Sequence, residues 1–293
     1  MKILKTIRGL AFAALPFMAV LQPASAGAAA PIEWISTRVA ASPTLDGRVD
    51  AIWSSAVPLK VMVREAIGGT APREVTLRAV HTADSVYVLA QWADATRSDM
   101  RDPHVWNKAQ NAYARPELAD DQFALEFPIE GQFTTSMLPD EGGYIADVWH
   151  WKAGRSNLDG WVDDKRHIVS MSPVKDALPY AFGGRKTIYI ARPMDDGKPS
   201  YVAVPAPAAD AGDVVSSYVA QAPDGSQADV RGKGVHDGKG WTLEMGRKLS
   251  TGNADDAVIP AGGEILCAIA ILDDELYWKH SVSDLLVLRL RQP

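Results

Sequence analysis

Histidines, paired acids, one cysteine and a tryptophan-rich strand are the residues of this chain whose types could do chemistry. The six histidines (His81, His104, His150, His167, His236 and His280) show no HxH or HxxxH spacing, which gives little support to a multi-histidine metal centre. Asp163-Asp164, Asp195-Asp196 and Asp255-Asp256 suggest acid pairs or calcium ligands at first sight. They lack the alternating oxygen ligands of an EF-hand loop, neighbouring acids on an extended chain point apart, and they read as solvated turns. Cys267 sits in the apolar run Ile265–Ile269 and reads as a buried, inert thiol. As the single cysteine it excludes an internal disulfide, a multi-cysteine zinc or iron–sulfur site and covalent haem attachment through CxxCH. The run Asp147-Val148-Trp149-His150-Trp151-Lys152 puts Trp149 and Trp151 on one side of a strand and His150 on the other. Two indoles on one face either fill a core or wall a cavity for a flat ligand. There is no G-x-S-x-G elbow, no P-loop, no HExxH and no GxGxxG after a strand, so no nucleophile or acid–base constellation points to a stand-alone enzyme.

The elements that must position these residues are strands. Val75–His81 and Ser85–Trp92 alternate apolar and polar residues on either side of a short turn and predict a hairpin. Further strand-like runs are Gln122–Ile129, Ile145–Lys152, Thr187–Arg192, Tyr201–Pro205, Val214–Ala220, Glu264–Leu272 and Leu285–Arg291. Val230–His236 and Trp241–Met245 flank the Gly-rich turn His236–Gly240. Helical periodicity is confined to a turn or two around Ala109–Leu118. Many short strands between turn residues predict an all-β, immunoglobulin-like sandwich, with one domain over residues 27–293. Two long connections, Trp92–Asp121 and Glu130–Tyr144, are of a length that often carries binding sites. The first holds Arg97, Met100, Arg101, His104 and Trp106, and the second holds Met137.

Residues 1–26 have the layout of a secretory signal: Lys2, Lys5 and Arg8, then an apolar stretch broken by Pro16, then Ala24-Ser25-Ala26. The apolar stretch is too short for a membrane span. Export with cleavage places the mature protein in the periplasm and takes the formal charge from −6 to −9. That acidity argues against nucleic acid and anionic membrane as partners. A composition of 47% hydrophobic and 23% charged residues is that of an ordinary globular protein and excludes disorder or a coiled coil.

Four segments, in order, resemble the ethylbenzene-dehydrogenase-related haem-binding family, the haem b subunits of periplasmic molybdenum enzymes and their free-standing relatives. They are Thr44–Ala56, containing Leu45-Asp46-Gly47, Asp50 and Trp53; Val75–Asp94 with Arg97 and Arg101-Asp102-Pro103; Asp120–Pro128 running through the Met137 loop to Ala153; and Asp273–Leu290. The opening segment and the first hairpin also resemble certain carbohydrate-binding β-sandwich modules, which supply the alternative reading, that of a glycan-binding module without haem. The haem-family resemblance implies a DOMON-type sandwich with haem b held non-covalently between two axial side chains at a loop-rich end. One ligand position, a methionine before the Trp-rich strand, falls on Met137. The other, a lysine or histidine three residues ahead of a serine, falls on His280, three before Ser283, with Lys279 beside it.

A thioether and an imidazole together make a low-spin six-coordinate iron, and methionine ligation raises its potential. With both axial positions filled, substrate has no place on the iron. The expectation is an electron-transfer module rather than an enzyme, partnered by another redox protein or by the catalytic or iron–sulfur subunits of a molybdoenzyme. Lysine ligates only as the neutral amine, so Lys279 in that role would need a lowered pKa. Trp149, Trp151, Trp106 and Trp278 are expected cavity walls, and Arg97, Arg101 and Arg155 expected partners of the propionates.

Overall fold

Nearly every alternating run forms a strand. The computed structural model describes residues 30–65, 72–139, 141–182, 186–274 and 280–291. The signal-like segment, Trp278 and Lys279 lie outside these residues. In the strand Arg73–His81, Val75, Leu77 and Ala79 are buried; in Ser85–Ala93, Val86, Val88, Ala90 and Trp92 are. The two pair antiparallel with Leu77 opposite Ala90 and Val75 opposite Trp92, which brings both apolar sets to one face.

Two layers are built around this hairpin. In one, Arg231–His236, Gly240–Lys248, Ser85–Ala93, Arg73–His81 and Leu59–Glu65 follow one another edge to edge. Ile32–Arg38 adds to the same layer by parallel pairing with Leu286–Leu290 and with Arg73–His81. In the other, the order is Leu178–Phe182, Lys186–Ala191, Asp163–Ser170, Tyr144–Lys152, Gln122–Gly131 and Glu264–Leu272, with the short Ser281–Val282 beyond. Glu264–Leu272 serves both layers: Glu264–Cys267 pair with Leu286–Leu290, and Ala268–Leu272 pair with Gln122–Glu126. Strands that change layer in this way join the corner of a sandwich. Residues Pro31–Pro293 make one compact unit.

The space between the layers is filled with large aromatic side chains. Trp151 meets Trp241 edge-on at 4.9 Å and Trp92 at 6.2 Å, and Trp92 stacks on Phe123 at 5.6 Å. Trp149 packs against Phe127 at 5.2 Å. Gly234 makes room for this cluster, because a Cβ there would lie 2.3 Å from the Trp151 ring. Trp34, Trp53, Trp149 and Trp151 are all essentially without solvent contact. Cys267 is fully buried, and burial pushes its thiol well above the ordinary range, as expected of an inert core thiol.

Two expectations are overturned. No helix forms over Ala109–Leu118; Ala112–Ala114 instead pairs with His104–Asn107, which pairs in turn with Val214–Val215. The polar residues there gain backbone partners across a small sheet, and no apolar stripe exists to seat a helix. The reading of the paired acids as solvated turns fails for five of the six: Asp196 is exposed in a bend and Asp255-Asp256 do lie in a turn, but every one except Asp196 is buried. Asp163 and Asp164 begin a strand and are 1% and 0% exposed, and Asp195, Asp255 and Asp256 are also buried. Four of the buried acids have an interior partner: Asp163 meets Lys152, Asp195 meets Arg166 at 3.1 Å, Asp256 meets Arg247 at 2.7 Å and Asp255 accepts from Ser226 at 3.0 Å. Asp164 is the exception.

Candidate functional site

The Tyr144–Lys152 strand divides its side chains between two environments. Its register with Gln122–Gly131 sets Trp151 opposite Phe123 and Trp149 opposite Leu125, all four in the interlayer core. Ala146, Val148 and His150 face the other way. Ala146 pairs with His167, Val148 with both Glu126 and Lys165, and Tyr144 with Val169, so the outer face of this layer carries the chemistry.

Part of that face is apolar. Tyr144, Ala146, Val169, Ile188 and Ile190 form a buried cluster, and Phe133, Met137, Leu138, Met171 and Tyr180 pack over it. Met137 arrives there because the Gln132–Gly143 connection folds back across its own hairpin. Tyr144 donates its hydroxyl to the Ser136 carbonyl at 3.4 Å, and Lys186 donates to the Pro139 carbonyl. The Met137 sulfur lies 3.4 Å from Nη2 of Arg192.

The adjoining part is polar. Glu126 Oε1 lies 2.5 Å from His167 Nδ1. Burial alone would raise the Glu126 carboxyl; His167, followed by Lys165 and His280, more than offsets it and holds the group below its usual range. His280 is half-buried and lies two residues before Val282, which pairs with Ala270. His167 itself is pulled down by burial, against the attraction of Glu126. Burial, with Lys152 nearby, also brings Lys165 down to about 7. His150 is held well below its ordinary value by burial first and then by Lys165, Lys152 and Arg155. Neither nitrogen of the His150 ring has a hydrogen-bond partner among the described residues. His150 as a residue is half-buried, but both ring nitrogens are buried without a partner, an arrangement that is costly unless something else pairs with them.

The donor set fits a haem held without covalent bonds. A thioether on an apolar wall, a histidine at its polar edge and the Arg192 cation are types such a group would use. The site differs from the sequence expectation in its walls. Trp149 and Trp151 occupy the opposite face of the strand from Met137 and fill the core, so Tyr144, Ala146, Val169, Ile188 and Ile190 take the wall position. Trp106 lies in the small sheet, edge-on to Tyr113 at 4.9 Å. The three expected arginines are already engaged: Arg97 with Asp99 at 2.6 Å, Arg101 with Asp102 at 3.2 Å, and Arg155 with buried Asp120 at 2.7 Å. Glu126, Lys165, His167 and Arg192 went unrecognised in the sequence. Lys165 and His167 alternate on one side of Asp163–Ser170, a signal hidden by reading Asp163-Asp164 as a turn.

Residues 50–281 match the family model described as ethylbenzene dehydrogenase, a span that takes in Met137, the Trp-rich strand and His280. The chain belongs to the ethylbenzene dehydrogenase family. None of the curated proteins matches it. Among solved structures it is similar to a family 9 carbohydrate binding module from Caldicellulosiruptor kristjanssonii in complex with glucose, at 10% identity, 89% of this chain, 96% of that chain and a TM-score of 0.39. The same module with cellotriose gives 11%, 89%, 94% and 0.38. A putative carbohydrate-binding protein from Bacteroides uniformis gives 11%, 89%, 100% and 0.41. At these identities the likeness is one of fold alone.

The segments that carry the family resemblance are largely architectural in this ethylbenzene dehydrogenase family member. Glu244 receives the backbone N–H of Asp46 at 3.0 Å, that of Gly47 at 2.8 Å and the Trp53 indole N–H at 2.6 Å, tying the opening segment to the far sheet. Asp120 holds the turn after the Trp-rich strand through Gly154 at 3.0 Å and Arg155. Asp121 accepts from Ser98 at 2.9 Å and from the Trp241 indole at 3.0 Å. Among the described residues no helix is long and apolar enough to cross a membrane.

Proposed function

We propose that this ethylbenzene dehydrogenase family member is an exported, periplasmic electron-transfer protein in which Met137 and His280 would hold one haem b non-covalently. The supporting observation is the seating of the Met137 thioether on the apolar outer face of the sheet whose polar edge carries Glu126, His167 and His280. When bound, the haem supplies a one-electron couple, and methionine ligation sets it at a raised potential. The chain's own residues bind and orient. The Gln132–Gly143 connection presents the thioether, the Ile188–Ile190 wall excludes water, and Arg192 would offer positive charge to the propionates. Two protein ligands would leave substrate no place on the iron, which favours electron transfer over catalysis. Lys279 is the alternative second ligand, as the neutral amine. The single sandwich, residues 27–293, then serves as a relay to a redox protein or to the catalytic or iron–sulfur subunits of a molybdoenzyme, with neither nucleic acid nor membrane as partner.

The test is a reduced-minus-oxidised visible spectrum of the haem-supplied protein. A sharp Soret band with low-spin α and β bands is expected, lost or shifted to high spin in Met137→Ala. Loss in His280→Ala with retention in Lys279→Ala assigns the second ligand, and the reverse reassigns it. A colourless protein that takes up no haem, with the Met137 and His280 variants indistinguishable from the parent, overturns the proposal. Glycan-dependent tryptophan fluorescence in such a protein would identify a carbohydrate-binding module instead.

A further inference from the structure

A second group of side chains lies across the sheet from the face that carries Met137 and Glu126. Asp147 and Asp164 lie on adjacent strands of one layer and face inward; Asp256 follows the Gly240–Lys248 strand of the other layer. One carboxylate oxygen from each lies within 4.8 Å of the other two. The three residues are 0%, 0% and 5% exposed.

The partners of these oxygens are unevenly distributed. Arg247 Nη1 donates to Asp147 Oδ2 at 2.6 Å and to Asp256 Oδ1 at 2.7 Å. Asp147 Oδ2 also receives the Ala257 N–H at 3.0 Å, and Asp256 Oδ2 receives the Thr251 hydroxyl. Neither oxygen of Asp164 has a donor among the described residues, nor has Oδ1 of Asp147, so the Asp147 and Asp164 carboxyls can satisfy one another only by sharing a proton. A fully buried carboxylate with no donor, served only by the charge of an Arg247 it shares with Asp147 and Asp256, is a costly arrangement for a protein interior. Three carboxylates against one guanidinium leave an excess of two negative charges. The neighbouring Asp195 is paired with its own Arg166 and does not relieve it.

We propose that this cluster binds one calcium ion, with Asp147, Asp164 and Asp256 as ligands, and that the ion clasps the two layers of the sandwich. A dication cancels the excess charge. The donors are carboxylate oxygens with no histidine or thiol among them, a set that suits a hard cation rather than zinc or copper. Calcium–oxygen distances of about 2.3–2.6 Å place ligands on opposite sides of the ion about 4.6–5.2 Å apart, compatible with the 4.8 Å limit observed here. Because the site is closed to solvent, the ion is taken up as the layers close and leaves only when they open. The site is independent of haem, since its ligands lie on the inner face.

The competing arrangement is a proton shared between Asp147 and Asp164, and one experiment separates the two. The full chain is unfolded in guanidinium with EDTA, then refolded with EDTA, with calcium, or with magnesium at matched ionic strength. Bound metal is counted by mass spectrometry and stability is read by thermal unfolding. Calcium refolding is expected to leave one ion per chain and to raise Tm by about 5 °C at a hundredfold excess over Kd. Terbium in place of calcium is expected to luminesce on tryptophan excitation, because Trp149 pairs directly with Asp164. Asp164→Asn is expected to lose the ion and the Tm response, while Asp273→Asn, in the separate Asp94–Asp121–Asp273 group, keeps both. Should Asp164→Asn fail to fold, Asp256→Asn provides the same comparison. Equal Tm in EDTA and calcium with no metal in the parent overturns the proposal in favour of the shared proton. A calcium response that survives Asp164→Asn, or that disappears only in Asp273→Asn, overturns the assignment to this cluster.

Discussion

Replacing Arg247 with methionine tests whether the charge accounting of the inner-face cluster is correct. Arg247 is 3% exposed, and its guanidinium meets Asp147, Asp256 and the Ala257 carbonyl at 2.6, 2.7 and 2.6 Å. Methionine fills most of the stem's volume, so the cavity contribution is small. The main loss is the counter-charge of two buried carboxylates, and removing one partner of a buried ion pair costs about 3–5 kcal/mol. For a chain of this size that lowers Tm by about 6–20 °C. The assay is thermal and urea unfolding of parent and Arg247→Met in EDTA, so that no cation substitutes for the guanidinium. The pH dependence adds a second criterion. Without Arg247 the folded-state pKa values of Asp147 and Asp256 rise further above their unfolded values, so the folded variant takes up protons and its deficit shrinks towards pH 5 and grows towards pH 8. Adding Asp147→Asn to Arg247→Met removes one stranded charge and is expected to restore part of the stability, a coupling visible in a double-mutant cycle. A loss under about 1 kcal/mol, or a deficit that grows in acid, would refute the reasoning.

Gly47→Ala is expected to cost about 1–3 kcal/mol by urea unfolding, because φ is +78° there and a Cβ would lie 2.5 Å from the Val235 side chain. Trp149→Leu is expected to destabilise by about 2–4 kcal/mol while leaving the Soret position of haem-loaded protein unchanged, since the ring lies in the core; a shifted band would return Trp149 to the haem wall. Burial, reinforced by Asp94, raises the Asp121 carboxyl from its ordinary 3.8 to about 7. The folded state therefore holds the proton more tightly than the unfolded one, and stability contributed by this group falls as pH rises from about 4 to 7. Asp121→Asn, which keeps an acceptor for Ser98 and Trp241, is expected to flatten the stability profile across that window; an unchanged profile would count against it.

Much of the architecture is written in local patterns. Val75–Ala79 and Ser85–Val88 alternate because one face of each is buried between the layers, while Val80 and Leu89 break the pattern by packing with Trp53 in a second cluster on the other face; Glu264–Leu272 has the bounds expected of it. Asp163–Ser170 was obscured because two adjacent acids resemble a turn, and only packing shows that one faces Lys152 and the other the interior. The candidate site was legible in part. Met137 and His280 stand out through family resemblance, whereas Glu126, Lys165, His167 and Arg192 become neighbours only when three strands come into register.

By itself the amino-acid order determined the all-β class, the exclusion of an internal disulfide by a single cysteine and the opposition of Trp149 and His150 on one strand. Each of these depends on composition or on a two-residue period, which no distant contact alters. Tertiary structure decided which of those two faces is core and which is site, and it gathered Asp147, Asp164, Arg247 and Asp256 into one charge-unbalanced cluster. Those outcomes depend on which layer covers which face and on groups up to about a hundred residues apart meeting in a low-dielectric interior.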